Sequence, residues 1–255
     1  MRLQLFLLIM TGKIYIGTSG WQYKHWRGTF YPDDLKVKDQ FSYYQKFFDT
    51  VEINNSFYQL PSKETFEKWK NSVPKDFIYV VKANRYITHM KKLNDPVDSL
   101  AKFLENITAL EDKLGPVLFQ LPPGWEINTD RLENFLTCLP GSLRCVFEFR
   151  NPTWYDEKVY DLLEKYNCAF CIYELAGHHS PLKVTTNFVY IRLHGPGINK
   201  YQGSYSEETL YLWANRCKTW AKDKDVYVYF DNDEHGYAAF NAIHLKKMVK
   251  SNLER

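Results

Sequence analysis

The sequence is poor in cysteine, nearly balanced in charge and without a long apolar run. Five cysteines in 255 residues form an odd count with no regular spacing, which does not fit a disulfide framework and favours a reducing, cytoplasmic location. Thirty-three basic and thirty acidic side chains give a net charge of +3, too small to indicate nucleic-acid binding by charge alone. Hydrophobic residues make up 45% of the chain and aromatic residues 17%, so a large folded core is available.

The apolar run at residues 3–10 is far shorter than the roughly 20 residues that a membrane span needs. It follows Arg2 in the manner of a weak signal peptide, but no small-residue cleavage site comes after it. A strand pattern begins almost at once, at Lys13. We therefore expect residues 1–12 to be a non-essential apolar extension, residues 13–255 to form one barrel domain, and no association with a membrane.

Eight short runs rich in apolar, β-branched or aromatic residues predict eight β-strands. They are Lys13–Gly17, Thr50–Asn54, Phe77–Lys82, Val117–Leu121, Arg144–Arg150, Cys168–Tyr173, Phe188–His194 and Val226–Asp231. Helical patterns fill most intervals, at Asp39–Phe48, Ser62–Asn71, Asp95–Leu114, Asn128–Cys138, Asp156–Tyr166, Ser206–Lys222 and Gly236–Val249. Strands that alternate with helices form parallel sheets, and eight such units favour a single TIM-like (β/α)8 barrel.

Two details refine the predicted α/β barrel. No Gly-rich phosphate-binding turn follows the first strand, which argues against an open doubly wound sheet. The interval after strand 6 contains Gly177 and Pro181 and has room for little more than one turn of helix, so this β/α unit is expected to be degenerate. The long helix from Asp95 is expected to stop at Gly115-Pro116.

Polar side chains fall at the ends of the predicted strands. In the stretch from Cys145 to Trp154, Glu148 and Arg150 share one strand face while Phe147 and Phe149 share the other. Because the carboxyl ends of barrel strands meet at one mouth, where TIM-barrel enzymes place their chemistry, the polar strand ends predict a pocket there. The alternative is a satisfied polar layer that plugs the barrel.

Charge and residue type predict roles for the side chains at this mouth. Glu148 and Glu52 are the predicted acid/base residues, with His194 as a proton shuttle. Arginine and lysine suit phosphate or carboxylate groups, so a small anionic substrate is expected. The predicted substrate-binding residues are Lys82, Arg85, Arg150, Arg192, Trp21, Tyr23, Asn54, Gln120, Trp154 and Asn232.

The same motifs resemble the YecE-like family, also called domain of unknown function 72. The likeness is carried by Gly17-Thr18-Ser19-Gly20-Trp21 with Phe30-Tyr31-Pro32, Glu52-Ile53-Asn54, Lys82-Ala83-x-Arg85, Gly115 to Pro123, Phe147-Glu148-Phe149-Arg150-x-Pro152-x-Trp154, Arg192-Leu193-His194-Gly195 and Asn241-Ala242. It covers nearly everything after residue 12. The resemblance implies a TIM-barrel-like fold and implies no reaction. Asp231 stands where the family pattern more often has asparagine.

Other readings of the mouth stay open. Glu148, His194 and Asp231 are the ligands if a divalent metal binds, and the protein would then be a metal-dependent phosphodiesterase or nuclease. Paired carboxylates would also suit glycoside hydrolysis. Loop aromatics, including Trp26, Phe30 and Tyr201, suit sugar rings or unstacked bases, so non-catalytic binding of single-stranded nucleic acid is a further alternative.

Three further motifs lead to separate expectations. Cys168-x-x-Cys171 lies inside a strand, where residues three apart point to opposite faces, so both cysteines are expected in the core. The tandem His178-His179 is expected to be solvated. The loop that starts at Gly195-Pro196-Gly197 is expected to form a mobile lid. The sequence does not indicate an oligomeric state.

Overall fold

A computed structural model describes residues 11–251, and most of the predicted extension at residues 1–12 lies outside the described residues. Eight parallel strands form a nearly closed barrel in the order β1-β9-β8-β6-β5-β4-β3-β2, and the two-residue β7 pairs antiparallel with β6. The strands are β1 Ile14–Thr18, β2 Thr50–Ile53, β3 Ile78–Lys82, β4 Leu114–Leu121, β5 Cys145–Phe149, β6 Ala169–Leu175, β7 His178–His179, β8 Phe188–Leu193 and β9 Asp225–Phe230.

The barrel closes between β1 and β2. Ser19 forms an isolated parallel bridge with Glu52, and the Gly20 amide donates to the Glu52 carbonyl oxygen at 2.8 Å. A Cβ on Gly17 would lie 2.5 Å from the Thr50 carbonyl oxygen, so glycine lets the two strands approach this closely. The predicted TIM-like α/β barrel is confirmed.

Helices occupy most of the intervals, as predicted. They are α1 Gln40–Tyr44, α2 Asn55–Tyr58, α3 Lys63–Asn71, α4 Pro96–Ile107, α5 Thr129–Thr137, α6 Glu157–Lys165, α7 Glu207–Trp220 and α8 Tyr237–Ser251. Four of the polar residues predicted to begin helices accept a backbone hydrogen bond as N-caps, namely Ser62, Asn128, Asp156 and Ser206. No helix within residues 11–251 combines the length and apolar character needed to cross a bilayer.

The prediction of one helix from Asp95 to Leu114 is wrong in its last part. Helix α4 ends at Ile107, and a 3-10 segment over Thr108–Lys113 follows it. The expected stop at Gly115-Pro116 instead lies inside β4, which has one extra residue relative to β3 at this point. Such a bulge tolerates a proline, which has no N–H to donate to the ladder.

The degenerate unit after strand 6 is confirmed, because no helix is described between β6 and β8. The chain makes a short antiparallel excursion instead, and His179 pairs in register with Glu174. The expectation that both histidines are solvated holds only in part for His178, which is half-buried and whose Nε2 lies 2.8 Å from the Tyr155 hydroxyl. His179 is exposed, with 70% of its side chain accessible.

The two faces of the barrel strands separate two parts of the core. Phe147 and Phe149 pack outwards in the larger apolar cluster under the helices, and Val146 packs in the smaller cluster inside the barrel. The predicted alternation in β5 is therefore confirmed. Cys168 and Cys171 are buried, as expected. Tyr190 and Tyr229 also fill the barrel interior, so hydroxyl groups lie directly beneath the mouth.

Candidate functional site

Arg192 joins three acidic side chains at the carboxyl end of the barrel. Its Nε and Nη2 donate to the two carboxylate oxygens of Glu52 at 3.0 and 2.6 Å. Its Nη1 donates to Glu148 Oε2 at 2.8 Å, and its Nη2 donates to Asp231 Oδ2 at 3.2 Å. Because β2 and β5 are not neighbours of β8 in the sheet, these contacts cross the barrel.

Arg192 and Glu148 stay charged although they are buried. Arg192, Glu52 and Glu148 have side chains with no exposed surface. Burial alone would lower the pKa of Arg192, but Glu52, Glu148 and Asp231 raise it well above its ordinary value. For Glu148, burial alone would raise the pKa of the carboxyl group. The charges of Arg150 and Arg192 instead hold this pKa well below its ordinary value.

Glu52 has two further partners that the sequence reasoning did not identify. The Ser19 hydroxyl donates to Glu52 Oε1 at 2.7 Å, and the Tyr190 hydroxyl donates to Oε2 at 2.5 Å. The signal for Tyr190 was available, because it lies two residues before Arg192 on the same strand face. With two bonds from Arg192 as well, the Glu52 carboxylate has four donors.

Glu148 is held from the other side of the mouth. Gln120 Nε2 donates to Glu148 Oε1 at 2.9 Å from the paired position on β4. Arg150 Nε donates to the same oxygen. The Arg150 guanidinium lies 4.7 Å from the centre of the Tyr173 ring, so one face of it is covered. The structure thus brings together the predicted residues Gln120, Glu148 and Arg150.

His194 is buried between the two arginines. Its Nε2 accepts from Arg150 Nη2 at 3.0 Å and from Arg192 Nη1 at 3.2 Å. Burial, Arg192 and Arg150 hold the pKa of His194 well below its ordinary value, so the ring is neutral and its proton is on Nδ1. Nδ1 lies 3.0 Å from Asp231 Oδ2 without the alignment of a hydrogen bond.

Two cavities lie at the mouth, and Tyr201 lines both. The first, of about 470 Å³, is called the Lys82 cavity. It is lined by Trp21, Tyr23, Asn54, Lys82, Tyr201 and Asp231, which the sequence marks as candidates for binding, and by Gly20, Gln22, Asn55, Tyr58 and Asp233. The second, of about 390 Å³, is called the Arg150 cavity, and its lining includes Gln120, Arg150, His89, Tyr173 and His178.

Lys82 differs from the arginines in having no acidic partner. Among the described residues, no carboxylate oxygen lies within 4.0 Å of Lys82 Nζ, whereas Arg150 and Arg192 both form ion pairs. The ammonium lies 4.4 Å from the centre of the Phe57 ring. Burial, followed by the charge of Arg192, lowers the pKa of Lys82 to about 8. The same cavity contains Asp231, whose pKa burial raises.

The other predicted residues do not line either cavity. Trp154 is buried, and its indole nitrogen donates to the Trp125 carbonyl oxygen at 2.7 Å. Asn232 donates to the Gly203 carbonyl oxygen at 2.8 Å and so holds the loop after β8. Arg85 is exposed on the loop after β3. Glu52, Glu148, Arg192 and His194 lie in the buried layer next to the cavities.

The residues suggested as metal ligands do not fit a metal ion. Arg192 donates to each of Glu148, Asp231 and His194, and Arg150 donates to Glu148 and His194. A cation bound by these three residues would have to displace both guanidinium groups. Within residues 11–251, no group of three or more histidine, cysteine, aspartate or glutamate side chains is arranged to hold a metal ion.

Comparison with known proteins gives consistent matches along most of the chain. A family model described as "Protein of unknown function DUF72" matches residues 15–255. The UPF0759 protein YunF of Bacillus subtilis (strain 168) is 27% identical over 269 residues, which cover 92% of this chain and 94% of YunF. A DUF72 family protein from Thermotoga maritima MSB8 is 30% identical, with a TM-score of 0.84 over 93% of this chain and 99% of its own. One from Enterococcus faecalis V583 is 20% identical, with a TM-score of 0.81 over 92% and 95% of the two chains, and shows the same fold.

Proposed function

The chain belongs to the family described as protein of unknown function DUF72, and from that premise we propose that it is an enzyme that binds a small anionic substrate in the Lys82 cavity. The observation that carries the proposal is the ammonium group of Lys82, which forms no ion pair within residues 11–251 and lies beside a cavity of about 470 Å³. Pockets for small molecules have volumes of roughly 300–1,000 Å³. TIM-barrel enzymes place their active sites at this end of the barrel.

The charges of the mouth support Lys82 as the contact for the anion. Arg192 already donates to Glu52, Glu148 and Asp231, and it is fully buried. Arg150 donates to Glu148, although it also lines the second cavity. Lys82 is the one of these three cations that forms no ion pair within 4.0 Å in the described chain, although Asp231 lines the same cavity. An anion beside it would supply a direct counter-charge.

The lowered pKa of Lys82 also suits a role in proton transfer. A group whose pKa is close to the working pH is both available in the correct state and able to exchange its proton. Burial lowers the pKa of Lys82 to about 8 and raises the pKa of Asp231, and both groups line the same cavity. In this proposal Lys82 binds the anion and donates a proton, while Asp231 accepts a hydrogen bond from the substrate.

Glu52 and Glu148 then act as positioning residues, which modifies the role that the sequence suggested for them. Their carboxylate oxygens already accept hydrogen bonds from Arg192, Arg150, Ser19 and Tyr190. Neither of them lines either cavity. They fix Arg192, whose charge contributes to the lowered pKa of Lys82.

The geometry favours a small substrate over the alternative of single-stranded nucleic acid. A stacking platform for successive bases needs exposed aromatic faces. Among the loop aromatics, Trp26, Phe30 and Trp154 are buried against other aromatic rings. This leaves Tyr58 and Tyr201 as exposed rings that line the Lys82 cavity. A cytoplasmic location remains part of the proposal, because all five cysteines are free thiols.

Thermal unfolding with added anions tests the proposal. The full chain, Lys82→Met and the control Lys68→Met, which removes an exposed lysine of α3, are heated with phosphate, sulfate, citrate and gluconate. An anion at 100 times its dissociation constant stabilises by about 2.7 kcal/mol, which is roughly 5–10 °C at this size. We expect at least one anion to raise the melting temperature of the wild type and Lys68→Met only. Equal shifts in Lys82→Met, or no shift in any protein, would contradict the proposal.

A further inference from the structure

The Lys82 cavity contains more than a site for a negative charge. Two carboxylates, Asp231 and Asp233, line it together with Lys82. Burial raises the pKa of Asp233, and so does the nearby charge of Asp231. A bare anion would gain from Lys82 but would be repelled by both carboxylates, which still need hydrogen-bond donors. The occupant must therefore present a negative charge at one point and donor groups at others.

The donors that fit are neutral hydroxyl groups. Asp231 is already paired with Arg192, whose Nη2 lies 3.2 Å from it, and Asp233 lies 3.3 Å from His25 Nε2. Asp231 thus has a cationic partner and Asp233 lies beside an imidazole ring, and what both carboxylates offer the cavity is the capacity to accept hydrogen bonds. Hydroxyl groups use this capacity without adding a second cation next to Lys82.

The other walls of the cavity fit the apolar faces of such a molecule. Trp21, Tyr23, Tyr58 and Tyr201 all line it, and 71% of the Tyr58 surface and 41% of the Tyr201 surface are exposed. Aromatic faces pack well against the C–H faces of a sugar. Asn54 lines the cavity as well, and its Oδ1 is buried without a hydrogen-bond partner. An amide oxygen only accepts hydrogen bonds, so the group that Asn54 lacks among the described residues is a donor such as a hydroxyl.

Resting on the function proposed above, we infer that the substrate is a polyhydroxylated anion of the sugar-acid or sugar-phosphate class. Its anionic group lies against Lys82, its hydroxyl groups donate to Asp231 and Asp233, and its carbon skeleton packs on the aromatic residues. A zwitterionic ligand, with an ammonium group in place of the hydroxyls, is the competing chemistry.

A matched pair of probes separates these possibilities. D-Gluconate and hexanoate have the same charge and the same number of carbon atoms, but gluconate also has hydroxyl groups. Binding of both is measured by calorimetry to the full chain, to Asp233→Ala and to the control Asp34→Ala, which removes an exposed aspartate in another loop. We expect gluconate to bind at least ten times more tightly than hexanoate. Asp233→Ala should reduce this ratio several-fold, and Asp34→Ala should leave it unchanged.

The outcomes distinguish this inference from the proposed function. If gluconate and hexanoate bind equally well and both need Lys82, the inference is overturned and the anion-binding function stands. If 6-aminohexanoate binds more tightly than gluconate, the zwitterionic class replaces the sugar class. If neither anion binds, the inference is overturned. The proposed function is then tested by thermal unfolding with phosphate, sulfate and citrate.

Discussion

The Arg192 guanidinium binds the Glu52 carboxylate through two parallel hydrogen bonds of 2.6 and 3.0 Å across the interior of the barrel. Both side chains are entirely buried. Two-point pairing of this kind fixes direction as well as distance. Because Arg192 also donates to Glu148 at 2.8 Å, it links β8 to both β2 and β5. We regard it as the centre of the polar layer beneath the mouth.

Removing Arg192 should therefore be costly. Arg192→Met leaves Glu52 and Glu148 buried without their shared cation, and losing one partner of a buried ion pair costs about 3–5 kcal/mol. Urea unfolding measures this change, with Arg85→Met, at an exposed position of the loop after β3, as the control. Glu52→Gln in the Arg192→Met background should recover part of the loss, since one unpaired charge is removed. A loss below about 1 kcal/mol would show that Arg192 does not hold this layer together.

Arg150→Met should have a smaller effect on stability. Glu148 would lose the Arg150 contact but keep Gln120 and Arg192. We expect a loss of about 1–3 kcal/mol, typical of a hydrogen bond to a charged group, and an increase in the pKa of Glu148. Carbon-13 NMR of labelled glutamate, compared with Glu148→Gln to assign the signal, measures that increase. An unchanged titration of Glu148 would show that Arg150 does not stabilise its charge.

Stability should fall when the pH drops below about 6.5. The pKa of His194 is held well below its ordinary value by burial and by Arg192 and Arg150. The unfolded chain binds this proton near pH 6.5 and the folded chain does not, so acid favours unfolding by up to about 1.4 kcal/mol per pH unit. His89, whose pKa burial and Lys82 lower to about 4, acts in the same direction. Below about pH 4.5 Glu148 adds a loss, because its pKa in the folded state is also lowered.

His194→Gln isolates the contribution of that residue. The free energy of unfolding of this variant should depend less on pH between 6.5 and 5 than that of the wild type, because one proton no longer distinguishes the two states. His244→Gln, on α8, is the matched control and should keep the dependence of the wild type. Identical slopes in His194→Gln and the wild type would mean that His194 already binds a proton in the folded protein.

Deleting residues 1–10 should leave the barrel intact. The described chain is anchored just after that point, where the Thr11 and Gly12 amides donate to the carbonyl oxygens of Lys222 and Ala221 at 3.4 and 3.1 Å. Strand β1 then starts at Ile14. We expect the melting temperature to change by less than about 5 °C, which corresponds to roughly 1–2 kcal/mol at this size. A larger decrease would mean that residues 1–10 contribute to the stability of the barrel.

The sequence predicted the fold well because its signals are local. Alternation in β5 separated Val146 and Glu148 from Phe147 and Phe149, and polar residues at helix starts marked the N-caps. The error at Gly115-Pro116 came from the same local reasoning. Glycine followed by proline commonly ends a helix, and only the pairing of β4 with β3 shows that the two residues form a bulge.

The internal arrangement of the site could not be predicted in the same way. The alternation of side chains along each strand placed Arg192, Glu52 and Glu148 at the mouth. It did not show that both glutamates form ion pairs with Arg192. That pairing depends on how strands on different sides of the barrel face one another. Lys82 was one of four equivalent cations in the sequence, and its lack of an acidic partner emerged only from the packed side chains. Asp233 likewise reaches the cavity through a loop conformation that has no simple sequence signal.

The most direct measurement is the pH dependence of anion affinity at Lys82. Calorimetry with one anion that binds, between pH 6.5 and 9.5, is applied to the wild type, Lys82→Arg and Lys82→Met. Only the protonated amine attracts the anion, and its pKa is about 8, so wild-type affinity should fall as the pH rises through 8 and approach a tenfold loss per unit above it. Lys82→Arg, which stays charged, should bind with little dependence on pH, and Lys82→Met should not bind. Wild-type affinity that is constant across this range, or unaffected by Lys82→Met, would contradict our account of the site.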